Sequence, residues 1–343
     1  MQKMIGKQSI AFENPPYILG CASVVGKKEG EGALGEYFDF IDEDPMFGGK
    51  SWEEAESNLQ KKAAELALEK TGLKAKDIRY LAAGDLLDQL VATSFGLMSL
   101  EIPLFGLYGA CSTMGESLTL ASILVEGGYA DRVMAVTSSH NASAERQFRF
   151  PLSYGNQKPL SATWTVTGSG AFILGKEKPA QQSDLKVRIE GITTGKIMDF
   201  GIKDSMNMGA CMAPAALQVI LQNFHDFNRK PEDYDKIITG DLGCVGKKIL
   251  LDMLLEEGYD ISNNYMDCGM EIYHREEQDV HSGGSGCGCC AVTLAGYVME
   301  QFRLGLWKKI LFVPTGALLS KVSYNEGRTV PSIAHGVIIS REE

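Results

Sequence analysis

The chain contains itself twice. LKAKDIRYLAAGDL (Leu73–Leu86) lies without a gap on RKPEDYDKIITGDL (Arg229–Leu242), so that Asp77 meets Asp233 and Gly84-Asp85-Leu86 meets Gly240-Asp241-Leu242. A second match follows in the same order, TLASILVEGGYADRVMAVTSS (Thr119–Ser139) against TLAGYVMEQFRLGLWKKILFVPTG (Thr293–Gly316), with a few residues inserted. Helix and strand periodicity accounts for a shared apolar pattern, but not for the shared GDL and TLA. Two ordered matches therefore predict one α/β unit built twice.

Each copy reads as a helix, a short loop and a buried strand ending in GDL. The first helix, SWEEAESNLQKKAAELALEKTG, opens with a capping box of Ser51 and Glu54 and carries apolar positions at Trp52, Ala55, Leu59, Ala63 and Leu66. Its counterpart is APAALQVILQNFHDF, Ala213–Phe227. The strands IRYLAAG, RVMAVTSS, KIITG and ILFVPTG are short and apolar, and they alternate with helices. That alternation predicts mixed sheets sandwiched by helices. The segment from Asn141 to Thr163 shows neither periodicity and reads as a long functional loop.

Composition narrows the function. A net charge of −11 with no basic run excludes nucleic acid as a general partner. No apolar run is long enough to span a membrane, and the start of the chain lacks a signal-peptide pattern, so a soluble protein of cytoplasmic origin is expected. Of the eight cysteines, Cys287, Cys289 and Cys290 cluster as CGCC, a spacing that does not match zinc ligands. No metal or cofactor is expected. Cys111, in GACSTMGES, stands at the start of a helix, where a thiolate would be favoured.

The motifs GACSTMGES, TSSHNASAERQFR, TVTGSGA, MAPAA, GGSGC, TGALLS and AHGV, in this order on duplicated halves, resemble the thiolase superfamily, and within it a branch concerned with spore formation. The resemblance implies a thiolase-like fold with two duplicated α/β halves, residues 1–180 and 181–343, in a layered α-β-α-β-α arrangement. It also implies a homodimer, dipicolinic acid (pyridine-2,6-dicarboxylate) as ligand, and a role in its uptake into the spore. Membrane proteins of the same sporulation operon are the implied partners, with the protein peripheral to the spore inner membrane.

Superfamily catalysis joins the acylated cysteine to His or Asn from loops of the second half, and in thiolases to another Cys. Here the corresponding loop, TGDLGCVG, offers Asp241 and no imidazole. HSGGSGCGCC lacks the Gly-His-Pro pattern, with His281 a few residues early, and PTGALLS has no cysteine. An anionic Asp241 would oppose a thiolate. The expectation is a non-catalytic binding site. The alternative is an acyltransferase using Cys111, with Asp241 or His140 as base.

A dianionic ligand needs donors. The candidates are Cys111 and Ser112 at the helix start, then His140, Asn141, Arg146 and Arg149 in the long segment, with Asp241 and Ser285 from the second half. Plainer readings stand beside these: Arg146 and Arg149 as surface residues pairing with Glu145, and Asp85 and Asp241 as helix caps. A carboxylate beside a dianion calls for a cation, so Ca²⁺ enters only as part of the ligand, as a calcium chelate.

Overall fold

A computed structural model describes residues 3–148, 158–179 and 186–342. The first half supplies β1 (Tyr17–Gly26), β2 (Tyr80–Gly84), β3 (Leu104–Gly106), β4 (Arg132–Ser139) and β5 (Gly168–Gly175). The second supplies β6 (Val187–Thr194), β7 (Lys236–Thr239), β8 (Tyr265–Asp267), β9 (Lys309–Val313) and β10 (Ser332–Arg341). In space they run β8-β7-β9-β10-β6-β1-β5-β4-β2-β3. Counted within its own half, each set has the order 3-2-4-5-1, so the duplication seen in the residues is a duplication of topology.

The hydrogen-bonding sense repeats as well. β5 is antiparallel to β1 and β4, as β10 is to β6 and β9. β2 is parallel to β4 and β3, as β7 is to β9 and β8. The halves meet where β1 and β6 pair at Tyr17 and Arg188. The expected boundary at 180/181 lies outside the described residues.

The helices repeat too. Helix α1 (Trp52–Thr71) starts where Ser51 accepts from the Glu54 amide, and Glu54 reaches back one residue further than a simple capping box, to the Lys50 amide. It ends at Gly72 in the left-handed region, φ 70°. Ala55, Leu59, Ala63 and Ala67 are buried, while Trp52 and Leu66 are only half-buried. Its counterpart, which we number α4 (Met208–Phe227), begins five residues before the Ala213 expected, capped by the Asn207 side chain on the Ala210 amide. After each helix comes the same loop: the Lys74 amide donates to Asp77 and the Lys230 amide to Asp233.

Helix α2 (Thr113–Glu126) and helix α6 (Cys287–Thr293, continuing to Arg303) form the middle layer. α6 passes through a π turn at Leu294–Val298, the structural form of extra residues in this copy. One hydrophobic core binds this layer to both halves, joining Met114, Leu118 and Ala291 to Phe172 and Phe312. A second packs α1 on the first half's sheet through Leu59, Ala63, Leu81 and Met134. A third packs α4 on the second half's sheet through Val219, Ile220, Ile237 and Leu311. Three cores between five layers give the α-β-α-β-α arrangement.

Candidate functional site

The elbow before α2 is built from short polar ties. Ala110 takes φ 50°, an uncommon conformation for a residue with a Cβ, and it turns the chain so that Cys111 stands at the helix start. Thr113 Oγ1 donates to the Ala110 carbonyl and accepts from the Gly109 amide, at 2.6 and 3.1 Å. Ser112 is fully buried and its hydroxyl donates back to the Gly109 carbonyl at 2.7 Å, so it holds the turn and is not presented to a ligand. Gly316, from the strand after β9, packs against the Gly109 carbonyl and the Cys111 amide so closely that a Cβ there would overlap them.

Two turns of the second half face this elbow. Gly286 has φ 110°, and a Cβ on it would lie 2.6 Å from Ser139 Oγ, so only glycine serves. Ser285, the repeat equivalent of Cys111, bonds the Thr163 hydroxyl at 2.7 Å. Cys111, Ser285 and Gly286 enclose, with Leu86, Tyr108, Ala110, Ala144, Phe148, Thr165, Met208, Ala317 and Leu319, a cavity of ≈ 40 Å³. That is space for a few waters at most. Tyr108, Phe148 and Leu319 separate it from an outer cleft of ≈ 370 Å³ that includes Gln89, Gln147, Ser320 and Lys321.

Electrostatics works against a thiolate. Burial, and after it the Asp241 carboxyl, pushes the Cys111 thiol well above its usual range, while the Gly286 amide pulls the other way. The start of the helix does not outweigh desolvation here. Asp241 has no exposure, and among the described residues neither of its oxygens has a hydrogen-bond partner. Burial, then Asp267, raises it well above the carboxylate range. The Gly286 and Thr315 amides oppose this without reaching hydrogen-bond geometry. Burial thus favours the protonated form of Asp241 and works against the anionic base that the acyltransferase alternative needs.

His140 is the second correction. Its Nδ1 accepts from the Ala142 amide at 3.2 Å, and its Nε2 donates to the Pro45 carbonyl at 2.8 Å. Burial lowers its pKa, and it packs on Trp52 and Phe47. With both nitrogens engaged it lines a separate cleft of ≈ 310 Å³, along with Asn141, Lys28 and Trp164, and is not a base for Cys111. Asn141 is turned to the Thr165 carbonyl.

The long segment is in part a helix, α3 (Asn141–Phe148). Its buried positions are Ser143, Ala144 and Glu145, which show no apolar period in the sequence. Arg146 pairs with Glu53 at the surface, and Glu145 pairs with Lys158 in a buried bridge of 2.8 Å, which replaces the expected Arg146–Glu145 pair. Arg149 lies outside the described residues.

Among the described residues no group of His, Cys, Asp and Glu is arranged to hold a metal. The CGCC thiols donate to main-chain carbonyls: Cys287 to Ser138, Cys289 to Gly240 and Cys290 to Cys111. Sequence reasoning missed Thr315, whose buried hydroxyl has no partner among the described residues, and whose amide faces Asp241. In the sequence, PTGALLS stands out only for lacking a cysteine.

A doubled 3-2-4-5-1 sheet around two central helices, with a cysteine elbow facing two turns of the second half, defines a thiolase-like protein. Solved structures agree on the fold. This chain is 13% identical to 3-oxoacyl-[acyl-carrier-protein] synthase III from Aquifex aeolicus VF5, at a TM-score of 0.56 over 95% of this chain and 99% of that one. It is 14% identical to a variant of OleA from Xanthomonas campestris, at 0.58 over 98% and 100%.

The chain belongs to the family of stage V sporulation protein AD. The model of that family matches residues 6–340. Stage V sporulation protein AD of Bacillus subtilis (strain 168) is 45% identical over 339 residues, covering 99% of this chain and 98% of the relative.

Proposed function

We propose that this is a non-catalytic thiolase-fold protein of spore formation that binds dipicolinic acid and supports its uptake into the spore. One observation carries the reading: a cavity persists at Cys111, yet the described residues lining it include no imidazole, and burial raises the Cys111 thiol and the nearby Asp241 carboxyl well above their usual ranges. Nucleophilic chemistry needs a thiolate and a proton acceptor. Burial works against both here, while a pocket of small residues and amides remains.

The inner cavity is too small for the whole ligand. The pyridine ring belongs in the outer cleft beside Tyr108, Gln147 and Lys321, with one carboxylate reaching inward. The exposed edge strand β3, with Leu104 and Phe105 outward, offers the homodimer contact. No helix among the described residues is long and apolar enough to cross a membrane, which fits peripheral attachment through membrane proteins of the operon. Dipicolinate should raise the melting temperature by a saturable amount. Repeating the titration with Ca²⁺ separates free acid from calcium chelate. No shift at millimolar dipicolinate in either condition removes the reading.

The elbow favours a second reading, an acyltransferase using Cys111. Intact-mass spectrometry after incubation with acyl-CoA tests it. A stoichiometric adduct, lost in Cys111→Ala, would establish the enzyme.

A further inference from the structure

The cleft of ≈ 310 Å³ beside His140 shares two walls with the Cys111 cavity but is separate from it. His140, Asn141 and Ala142 line the cleft, while Ala144 and Phe148, further along the same segment, line the cavity. Trp164 lines the cleft and its strand neighbour Thr165 lines the cavity, as alternation along a strand requires. Trp52, Trp164, Pro45 and Ala142 give the cleft large apolar surfaces. Its volume lies at the lower end of small-molecule clefts, which run from about 300 to 1,000 Å³.

Lys28 brings a charge to these walls. It is half-buried, and its ammonium stands 4.4 Å from the centre of the Trp164 ring. It donates to the carbonyl of Gln278, in the long connection that follows helix α5 (Gly243–Glu256) and β8. Among the described residues no carboxylate pairs with it. An ammonium has several donors, so Lys28 keeps capacity for an acceptor in the cleft. Burial lowers its pKa, as expected of a cation that has lost water without gaining a counter-ion. The nearby acids do not fill that role. Glu29 is buried and turned to the Tyr273 hydroxyl and the Thr167 amide. Glu43 and Glu31 are held by Lys27 at 2.8 and 3.8 Å, and with Asp279 they stand in water, which screens them. Lys158, over the same Trp164 ring, is already paired with Glu145.

We propose that this cleft is a second ligand site, for a small monocarboxylic acid with an apolar body, its carboxylate on Lys28 and its body against Trp52, Pro45 and Ala142. A carboxylate supplies the counter-charge that Lys28 lacks in a setting too dry for water to replace it. The apolar body covers indole and proline surface that is otherwise left to solvent. A second carboxylate would meet the rim of Glu31 and Glu43, so the site selects a monoacid.

Tryptophan emission reads the site directly, because two of the three tryptophans line the cleft and Trp307 does not. Millimolar benzoate should shift the emission of the wild type saturably, with benzyl alcohol weaker and benzylamine weakest. Lys28→Met, which keeps most of the stem over Trp164, should weaken benzoate roughly tenfold or more, the worth of a hydrogen bond between charged groups, and should leave benzyl alcohol nearly unchanged. Ala142→Leu should block both compounds by filling the cleft. An equal response to all three compounds, or a stronger one to benzylamine, overturns the proposal on the wild type alone. So does the absence of any saturable response to benzoate. A benzoate response that persists in both variants places the acid elsewhere and is equally fatal.

Discussion

Asp85 and Asp241 occupy the same place in the two halves, and the protein treats them oppositely. Asp85 accepts from the Leu87 amide at 2.8 Å, the Thr93 amide at 2.7 Å and the Thr93 hydroxyl at 2.6 Å. It ties β2 to the turn and helix that follow. In the second half that work has moved to Asp267, which accepts from Leu242, Gly243 and the Thr239 hydroxyl. Asp241 keeps the position without the partners. Burial pushes both carboxyls up, but at Asp85 three hydrogen bonds push back, and at Asp241 two poorly placed amides do. Duplication thus gave the fold two equivalent acids, one kept to hold backbone and one released to face the Cys111 elbow.

The comparison breaks if the two acids respond alike. Asp85→Ala should cost about 3 kcal/mol or more in a urea titration, because the Leu87 and Thr93 amides lose buried acceptors. Asp241→Asn should do the reverse at neutral pH. Its folded pKa lies above the unfolded value of about 3.9, so its contribution to stability is intact below that pH and is lost as pH rises through the folded value. The variant should therefore gain at least about 1 kcal/mol on the wild type at pH 8, and the gain should vanish by pH 4. Parallel pH profiles would show that Asp241 titrates as an ordinary carboxylate. The smallest effect is expected for Arg146→Ala: within about 0.5 kcal/mol in stability, since its bridge to Glu53 is exposed, and no change in dipicolinate affinity. A clear loss of affinity would bring α3 back to the site.

The duplicated GDL and TLA predict the repeated sheet order because topology follows from element order, and element order is written in the chain. Cys111 at an elbow and Ser285 opposite it follow from the same alignment. The ionisation of Asp241 was not legible, because it depends on Asp267 taking the helix amides and on apolar thiols closing around the carboxyl. His140 misled for a related reason. Its neighbour in sequence, Asn141, starts α3, and that turn swings the imidazole toward Pro45 and Trp52. α3 was itself hidden, since Ser143 and Ala144 bury a helix face without large apolar residues.

The strand order has a consequence for synthesis. β1 lies between β5 of its own half and β6 of the other, and apart from the short strand Phe40–Asp42, which pairs with Val24–Gly26, its neighbours in the sheet emerge from the ribosome roughly 140 residues after it does. Over that interval most of this apolar strand lacks its sheet partners, and the contacts that end the wait are among the most non-local in the chain. In a nascent copy the stretch that waits on these late contacts is therefore Tyr17–Gly26.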